Sequence, residues 1–317
     1  MTTRFKIFLL VFFGLAMASI FAGCAPGKEV GQKIAKAHER NDGPALWKVT
    51  DRNSTLYLFG SVHLLPEGSD WQKRDLQAAF DEVGTLFFEI PDTDKANLEA
   101  SILQRRYGVY ESGDQLSNHL DSVSQKHFTA AAYNAGLAPH KLQSFKPWLV
   151  SDILAIATAE AGGLFARNSA DSTIREKAKQ ARKVIKHLDT MRSYIEAVAL
   201  LPELVQLEEL RESVKNFPTF SDDIKTVNAA WIIGDLETLE RELLTPAQSK
   251  SPEVYAALFT QRNVKWSQSL DVFMKGDENG LVVVGIGHML GDDGLPARLR
   301  EFGYDVERVR RYDLPNN

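Results

Sequence analysis

Cysteine is almost missing from this chain: Cys24 is the single one in 317 residues. Within one molecule it can build neither a disulfide nor a thiolate zinc site. An excess of positive charge is missing too. Lys and Arg number 37 against 42 Asp and Glu, a formal charge of -5, which argues against the basic stripe that nucleic-acid binding needs to displace counterions. Several familiar catalytic signatures are absent. His38-Glu39-Arg40 does not continue to a second histidine, and there is no Gly-x-Ser-x-Gly elbow and no Gly-x-x-x-x-Gly-Lys phosphate loop. What is present is a globular balance of 44% hydrophobic and 25% charged residues, which excludes a disordered, collagenous or multi-span membrane chain. The length accommodates two ordinary domains or one large one.

The one cysteine has a context. Arg4 and Lys6 precede an apolar run from Ile7 to Ala22, which ends in Phe21-Ala22-Gly23-Cys24. A basic start, an apolar stretch and small residues before a cleavage point read as an export signal over residues 1–23. The small pair before Cys24 resembles a bacterial lipobox, whose cysteine is lipidated and becomes the mature N-terminus. Ala25 in place of Asp favours, by the same resemblance, an outer-membrane anchor facing the periplasm. The competing reading is an uncleaved anchor helix, near the lower length limit for a bilayer span. Residues 24–44, punctuated by Pro26, Gly27, Gly31 and Asn41-Asp42-Gly43-Pro44, read as a tether. The folded body is expected over 45–317.

That body opens with two strand signals, Leu46 to Val49 and Thr55 to Phe59, around the turn Asp51-Arg52-Asn53-Ser54. Then come Gly60-Ser61-Val62-His63, a loop, a helix with Leu76, Ala79, Phe80 and Val83 on one stripe, Gly84, and the apolar strand Thr85 to Ile90. Near the C-terminus the plan recurs. Leu281 to Val284 runs into Gly285-Ile286-Gly287-His288, a loop, a helix with Leu295, Leu299 and Phe302, Gly303, and the strand Tyr304 to Val309. Between the halves, roughly 92–276, amphipathic stretches dominate: Trp148 to Ala161, Ile174 to Ile185, Tyr194 to Val214, Val227 to Leu243 and Val254 to Met274. The pattern predicts an α/β (α+β) fold. A central mixed sheet is assembled from two Gly-x-x-His strand-helix-strand halves at the chain ends, and a helical insertion of five or more helices covers it. A strand near Lys183 to Ile185, or at His187 to Asp189, is left open.

Each Gly-x-x-His stands where an apolar strand ends, the place where open α/β sheets bind ligands. Glycine lets the backbone turn or approach closely, and the histidine three residues on can point into that crevice. His63 and His288 meet only if their strands are neighbours. Glu89 sits between Phe88 and Ile90, a costly place for a carboxylate unless it is paired or coordinated. It is either part of the site or the buried partner of an arginine such as Arg262. Two imidazoles and a carboxylate match the ligand set of hydrolytic zinc sites. His38, His119, His127, His140 and His187 show no ligand spacing and read as surface groups.

At this point the chain resembles the TraB/GumN family, which includes pheromone-shutdown proteins and Tiki-type proteases. The resemblance covers roughly 45–312. Its blocks are Leu56-Tyr57-Leu58-Phe59-Gly60-Ser61-Val62-His63 with Phe87-Phe88-Glu89-Ile90, then Gln261-Arg262-Asn263 and Trp266, then Val283 to Gly291 and Phe302-Gly303-Tyr304. Ala170-Asp171 stands where the family usually shows Gly-Asp, and Leu188-Asp189-Thr190 where it shows Leu-Glu-Thr; neither acid is assigned a role. The resemblance implies an erythromycin-esterase-like, haem-transport-like fold. For Tiki-type members it implies metal-dependent peptide cleavage, carried over to His63, His288 and Glu89.

The leading expectation is therefore a membrane-tethered, metal-dependent peptidase acting on peptide or protein substrates. Zinc, manganese or cobalt would be held by His63, His288 and Glu89, or by the histidines with Glu89 as base. Gly60, Gly285 and Gly287 would shape the site, and Arg262 and Asn263 would support it or stabilise an oxyanion. The alternatives are a metal-free, histidine-based hydrolase and a lipoprotein that captures haem or a peptide without chemistry.

Overall fold

The computed structural model describes residues 43–309. The export signal, Cys24 and the tether up to residue 42 lie outside the described residues. Strands β1 (Leu46–Thr50) and β2 (Thr55–Ser61) form an antiparallel hairpin. Its turn is closed by Asp51, whose carboxylate accepts from the backbone N–H groups of Asn53 and Ser54. Next come β3 (Leu65–Pro66), helix α1 (Arg74–Glu82) and β4 (Thr85–Phe88). α1 buries Leu76, Ala79 and Phe80, the i, i+3, i+4 stripe of an amphipathic helix.

The middle is helical. It runs through α2 (Asp94–Tyr107), α3 (Ser122–Asn134), α4 (Pro147–Ala161), the two-residue β5 (Leu164–Phe165) paired with β3, and α5 (Ala170–Gln180). Strand β6 (Val184–His187) follows, then α6 (Met191–Ala199), α7 (Glu203–Asn216) and α8 (Phe220–Ile233). From Leu236 to Met274 helical turns succeed one another: α9 (Leu236–Leu239), a π-helical segment Glu240–Leu244, α10 (Thr245–Lys250), α11 (Pro252–Tyr255), a second π-helical segment Ala256–Thr260, and α12 (Gln261–Met274). The chain closes with β7 (Gly280–Gly285), a 3-10 turn Ile286–Met289, α13 (Leu295–Glu301) and β8 (Asp305–Arg308).

Six strands form one mixed sheet in the order β6-β4-β7-β2-β1-β8. The first four are mutually parallel and β1 is antiparallel to both its neighbours. This is the mixed sheet that the repeated plan predicts, drawn from both chain ends. β7 lies between β4 and β2, so the C-terminal half is threaded into the N-terminal one. Leu56, Leu58, Phe59, Leu86, Phe88 and Val282 to Val284 have no exposed surface, as expected for parallel strands covered on both faces. Burial of each large apolar side chain contributes about 1.5–3 kcal/mol.

Four details depart from the periodicity, one being that Val227 to Leu243 divides at Gly234, which turns into the left-handed region at φ 72°. The stretch Ile174 to Ile185 is not one helix: α5 ends at Gln180, Arg182 turns into the left-handed region at φ 53°, and β6 takes over. The stretch Tyr194 to Val214 divides at Leu200–Pro202, because proline cannot continue the helix hydrogen bonding. Helices α2 and α3 arise where no apolar stripe stood out.

Candidate active site

The register of the parallel strands decides what meets what. Ser61 lies opposite Gly285 across the β2–β7 pair, and Phe88 opposite Val283 across the β4–β7 pair. His63, Glu89 and His288 therefore leave the same edge of three adjacent strands. A β-carbon on Gly60 would come within 2.3 Å of Ile286 Cδ1, and one on Gly287 within 2.6 Å of the Phe259 ring. Glycine at 60 lets the two motifs pack this closely, and glycine at 287 makes room for the Phe259 ring.

Glu89 is the hub, 9% exposed. Its Oε1 accepts the backbone N–H of Gly285 at 2.8 Å, and its Oε2 accepts Arg262 Nη2 at 2.6 Å. His63 Nε2 and His288 Nε2 stand 3.8 and 3.9 Å from the same Oε1. Burial alone would raise the Glu89 pKa. The charge of Arg262, then those of the histidines, outweighs burial and holds the carboxyl well below the usual range.

Four of the five Arg262 N–H groups are taken up by its neighbours. Besides Glu89 it donates from Nε to Asp189 Oδ2 at 2.9 Å and from Nη1 to Leu258 O at 3.2 Å. Its guanidinium lies over Trp266 at 4.4 Å and Tyr194 at 5.3 Å. Asp189, 6% exposed, collects Arg262, Trp266 Nε1 at 3.0 Å, Lys265 Nζ at 3.1 Å and Ser193 Oγ at 3.1 Å. Its own backbone N–H reaches Glu89 O at 2.8 Å.

The histidines differ. Asn263 donates its Nδ2 to Asp293 O at 2.8 Å, which leaves Oδ1 to accept from His288 Nδ1 at 2.7 Å. His288 is thus protonated on Nδ1, and its Nε2 lone pair faces Arg262 Nη1 at 3.2 Å. The ring is 3% exposed, packed against Trp266 and Phe259. Burial, reinforced by Arg262 and opposed by Glu89, pushes its pKa down to about 3. His63 keeps 15% of its side chain exposed, and its Nδ1 stands 3.2 Å from Asp171 Oδ2. Asp171 Oδ1 accepts Ser61 Oγ at 2.9 Å. Burial alone would lower the His63 pKa; Asp171 first, then Glu89, outweighs it and raises the value to about 9. A cleft of about 490 Å³ opens beside Asp171, lined also by Ile90, Asp92, Thr93, Asn97 and Arg175.

All the sequence-derived positions except Cys24 come together here, with Arg262 bridging Glu89 and His288 rather than facing a substrate. The pairing of Glu89 with Arg262 and the pairing with the histidines, first read as rivals, coexist. Asp171 and Asp189 had no assigned role. Asp171 opens α5, whose first N–H, on Ala170, donates to Val62 O at 3.2 Å. Asp189 follows β6 as Glu89 follows β4, so the strand-end argument finds it once β6 is recognised.

The His288 lone pair faces Arg262, and each Glu89 oxygen already accepts a hydrogen bond. Among the described residues no three His, Cys, Asp or Glu side chains are grouped to hold an ion. As arranged, His63, His288 and Glu89 do not fit a divalent cation, because the cationic place among them is filled by guanidinium. Among the described residues no helix is long and apolar enough to cross a membrane.

A family model described as the TraB/PrgY/gumN family matches residues 45–308. No curated protein and no solved structure matches the chain.

Proposed function

The chain belongs to the TraB/PrgY/gumN family, and from that premise we propose a hydrolase of peptide or ester carbonyls in which His63 is the general base. The observation that carries this reading is the His63–Asp171 pair. The acid lies 3.2 Å behind Nδ1, while Nε2 faces the Glu89 side of a ring that solvent can reach. In this reading neutral His63 takes a proton from water through Nε2 and the resulting hydroxide attacks the carbonyl. The imidazolium, held by Asp171, returns the proton to the leaving amine or alcohol. Glu89, Arg262, Asp189 and His288 form the rigid base of the site, and Asn263 fixes the His288 tautomer. Arg262, with four of its five N–H groups committed, has at most one left for an oxyanion.

The test is hydrolysis of a peptide library by the purified protein, with and without chelator, alongside its metal content. Cleavage that survives chelation and disappears in His63→Ala supports the base mechanism; cleavage retained by His63→Ala removes it. A second reading, metal-dependent cleavage, draws support from the convergence of two Nε2 atoms on one carboxylate oxygen, with the far nitrogens anchored by Asp171 and Asn263. It requires Arg262 to release His288. One metal per chain, together with chelator sensitivity, would decide for it. We propose also that the enzyme works from a lipid tether at Cys24 on the periplasmic face of the outer membrane. Fatty-acid labelling lost in Cys24→Ala is the expected outcome.

A further inference from the structure

The sheet has an open margin beside the site. β6 pairs on one side only, with β4. In parallel pairing alternate residues turn their backbone groups to opposite neighbours. The N–H of Val184 goes to Gly84 O and that of Leu188 to Phe88 O, so Ile185 and His187 present their N–H and C=O outward. Among the described residues nothing pairs with those N–H groups.

The same margin is basic in an acidic protein. Residues 177–187 contain Lys177, Lys179, Arg182, Lys183 and Lys186 and no Asp or Glu, against a chain charge of -5. Lys179 pairs with Glu176 and Lys183 donates to Val83 O. Lys186 lies over the Phe87 and Phe273 rings at 5.7 and 5.2 Å. Among the described residues Arg182 and Lys186 meet no carboxylate within ion-pair distance, and Arg182, Val184, Lys186 and His187 are exposed. Lysines on an edge repel a second copy of the same edge; toward an acidic strand the same charges attract.

We infer that the free edge of β6 captures an extended acidic peptide, adding it as a seventh strand. Strands lie about 4.8 Å apart, so the added strand runs roughly 19 Å, four spacings, from the line of β2, beyond whose end His63 lies. About six extended residues, at about 3.3 Å each, span that gap. The edge is then a substrate exosite. The inference rests on the hydrolase reading for the fate of the peptide, and not for its binding. A membrane of anionic lipid also meets the charges, but it makes no use of the outward N–H groups.

The experiment uses the full-length His63→Ala protein and a fluorescein-labelled peptide alternating Glu with Val or Thr. Anisotropy is expected to rise with micromolar affinity. Arg182→Glu with Lys186→Glu should weaken binding by about tenfold or more, and added salt should weaken it further. N-methylation of alternate peptide amides should abolish it. If the double variant misfolds, Lys186→Gln and the salt series carry the same reading. Unchanged affinity after charge reversal, full binding of the N-methylated peptide, or binding to anionic vesicles with none to the peptide each overturns the proposal. An acidic peptide that binds wild-type protein but is never cut leaves the added strand standing and removes its role as a substrate exosite; a peptide library left uncut as well removes the hydrolase reading. Cleavage of neutral peptides with no acidic binding does the reverse.

Discussion

The two Gly-x-x-His motifs share a sequence and a place in the sheet, yet their histidines are opposites. His63 is partly exposed and backed by a carboxylate, with its pKa raised to about 9. His288 is sealed between Trp266 and Phe259, backed by a neutral amide, with its pKa lowered to about 3. A repeated motif thus supplies the same strand-end geometry twice, and the surroundings decide the electrostatics: Asp171 and Glu89 raise one ring's pKa, while burial and Arg262 lower the other's. Sequence symmetry does not imply electrostatic symmetry.

The sharpest way to break this contrast is to remove each ring. His63→Ala is expected to lower kcat/KM by about 10²–10⁴-fold, with little change in melting temperature only above pH 9, where the ring no longer adds to stability. His288→Ala should instead destabilise by about 2–4 kcal/mol, because Asn263 and Arg262 lose a buried partner; chemical denaturation measures it. If both variants fold normally and both are inert, the two histidines share one role and the contrast collapses.

Arg262→Met strips a buried cation from Glu89 and Asp189, which leaves two carboxylates uncompensated. A loss of about 3–5 kcal/mol is expected, read from urea midpoints. A stable variant that gains stoichiometric zinc would show that guanidinium had been holding the place of a metal.

Titration follows the histidines individually. By NMR the His63 ring should titrate near 9 and the His288 ring near 3. Stability should respond with opposite signs. For His63, whose folded pKa is raised, the contribution is complete below about 6.5 and is lost as pH rises through 9. For His288 the unfolded chain takes up a proton near 6.5 that the folded chain refuses down to about 3, so stability falls as pH drops through that window. Activity with His63 as base should climb with pH to about 9, and Asp171→Asn should move that limb to lower pH. A limb that falls above 9 assigns His63 the acid role instead.

The smallest expected effect concerns contact between the copies. Gly60→Ala pushes a methyl into Ile286 and should cost about 1–3 kcal/mol, with His288 disturbed before His63. Equal disturbance of both rings would mean that the motifs move as one body.

Much of this arrangement was legible in the residues. Apolar runs ending in Gly-x-x-His gave β2 and β7 their ends, and an acid on an apolar strand marked Glu89 as paired. Less was legible where the signal was local and ambiguous. β6 reads Val-Ile-Lys-His after an amphipathic helix and is mostly exposed, so neither alternation nor an apolar run announces it. Without β6, Asp189 could not be placed. Asp171 looks like an ordinary acid in the first turn of a helix, which the helix dipole favours anyway. The order of strands is a long-range property, settled by packing, that no window along the chain contains.

That order also bears on how the chain matures. β7, the strand between β4 and β2, is composed of residues 280–285, and so is synthesised long after both its neighbours. Until it arrives, β4 and β2 present bare, apolar edges across an empty slot, the condition that exposes slow, non-local sheets to aggregation. A chain shortened before Gly280 would lose the centre of its sheet rather than a tail, and the last strands laid down are the ones that make the first ones soluble.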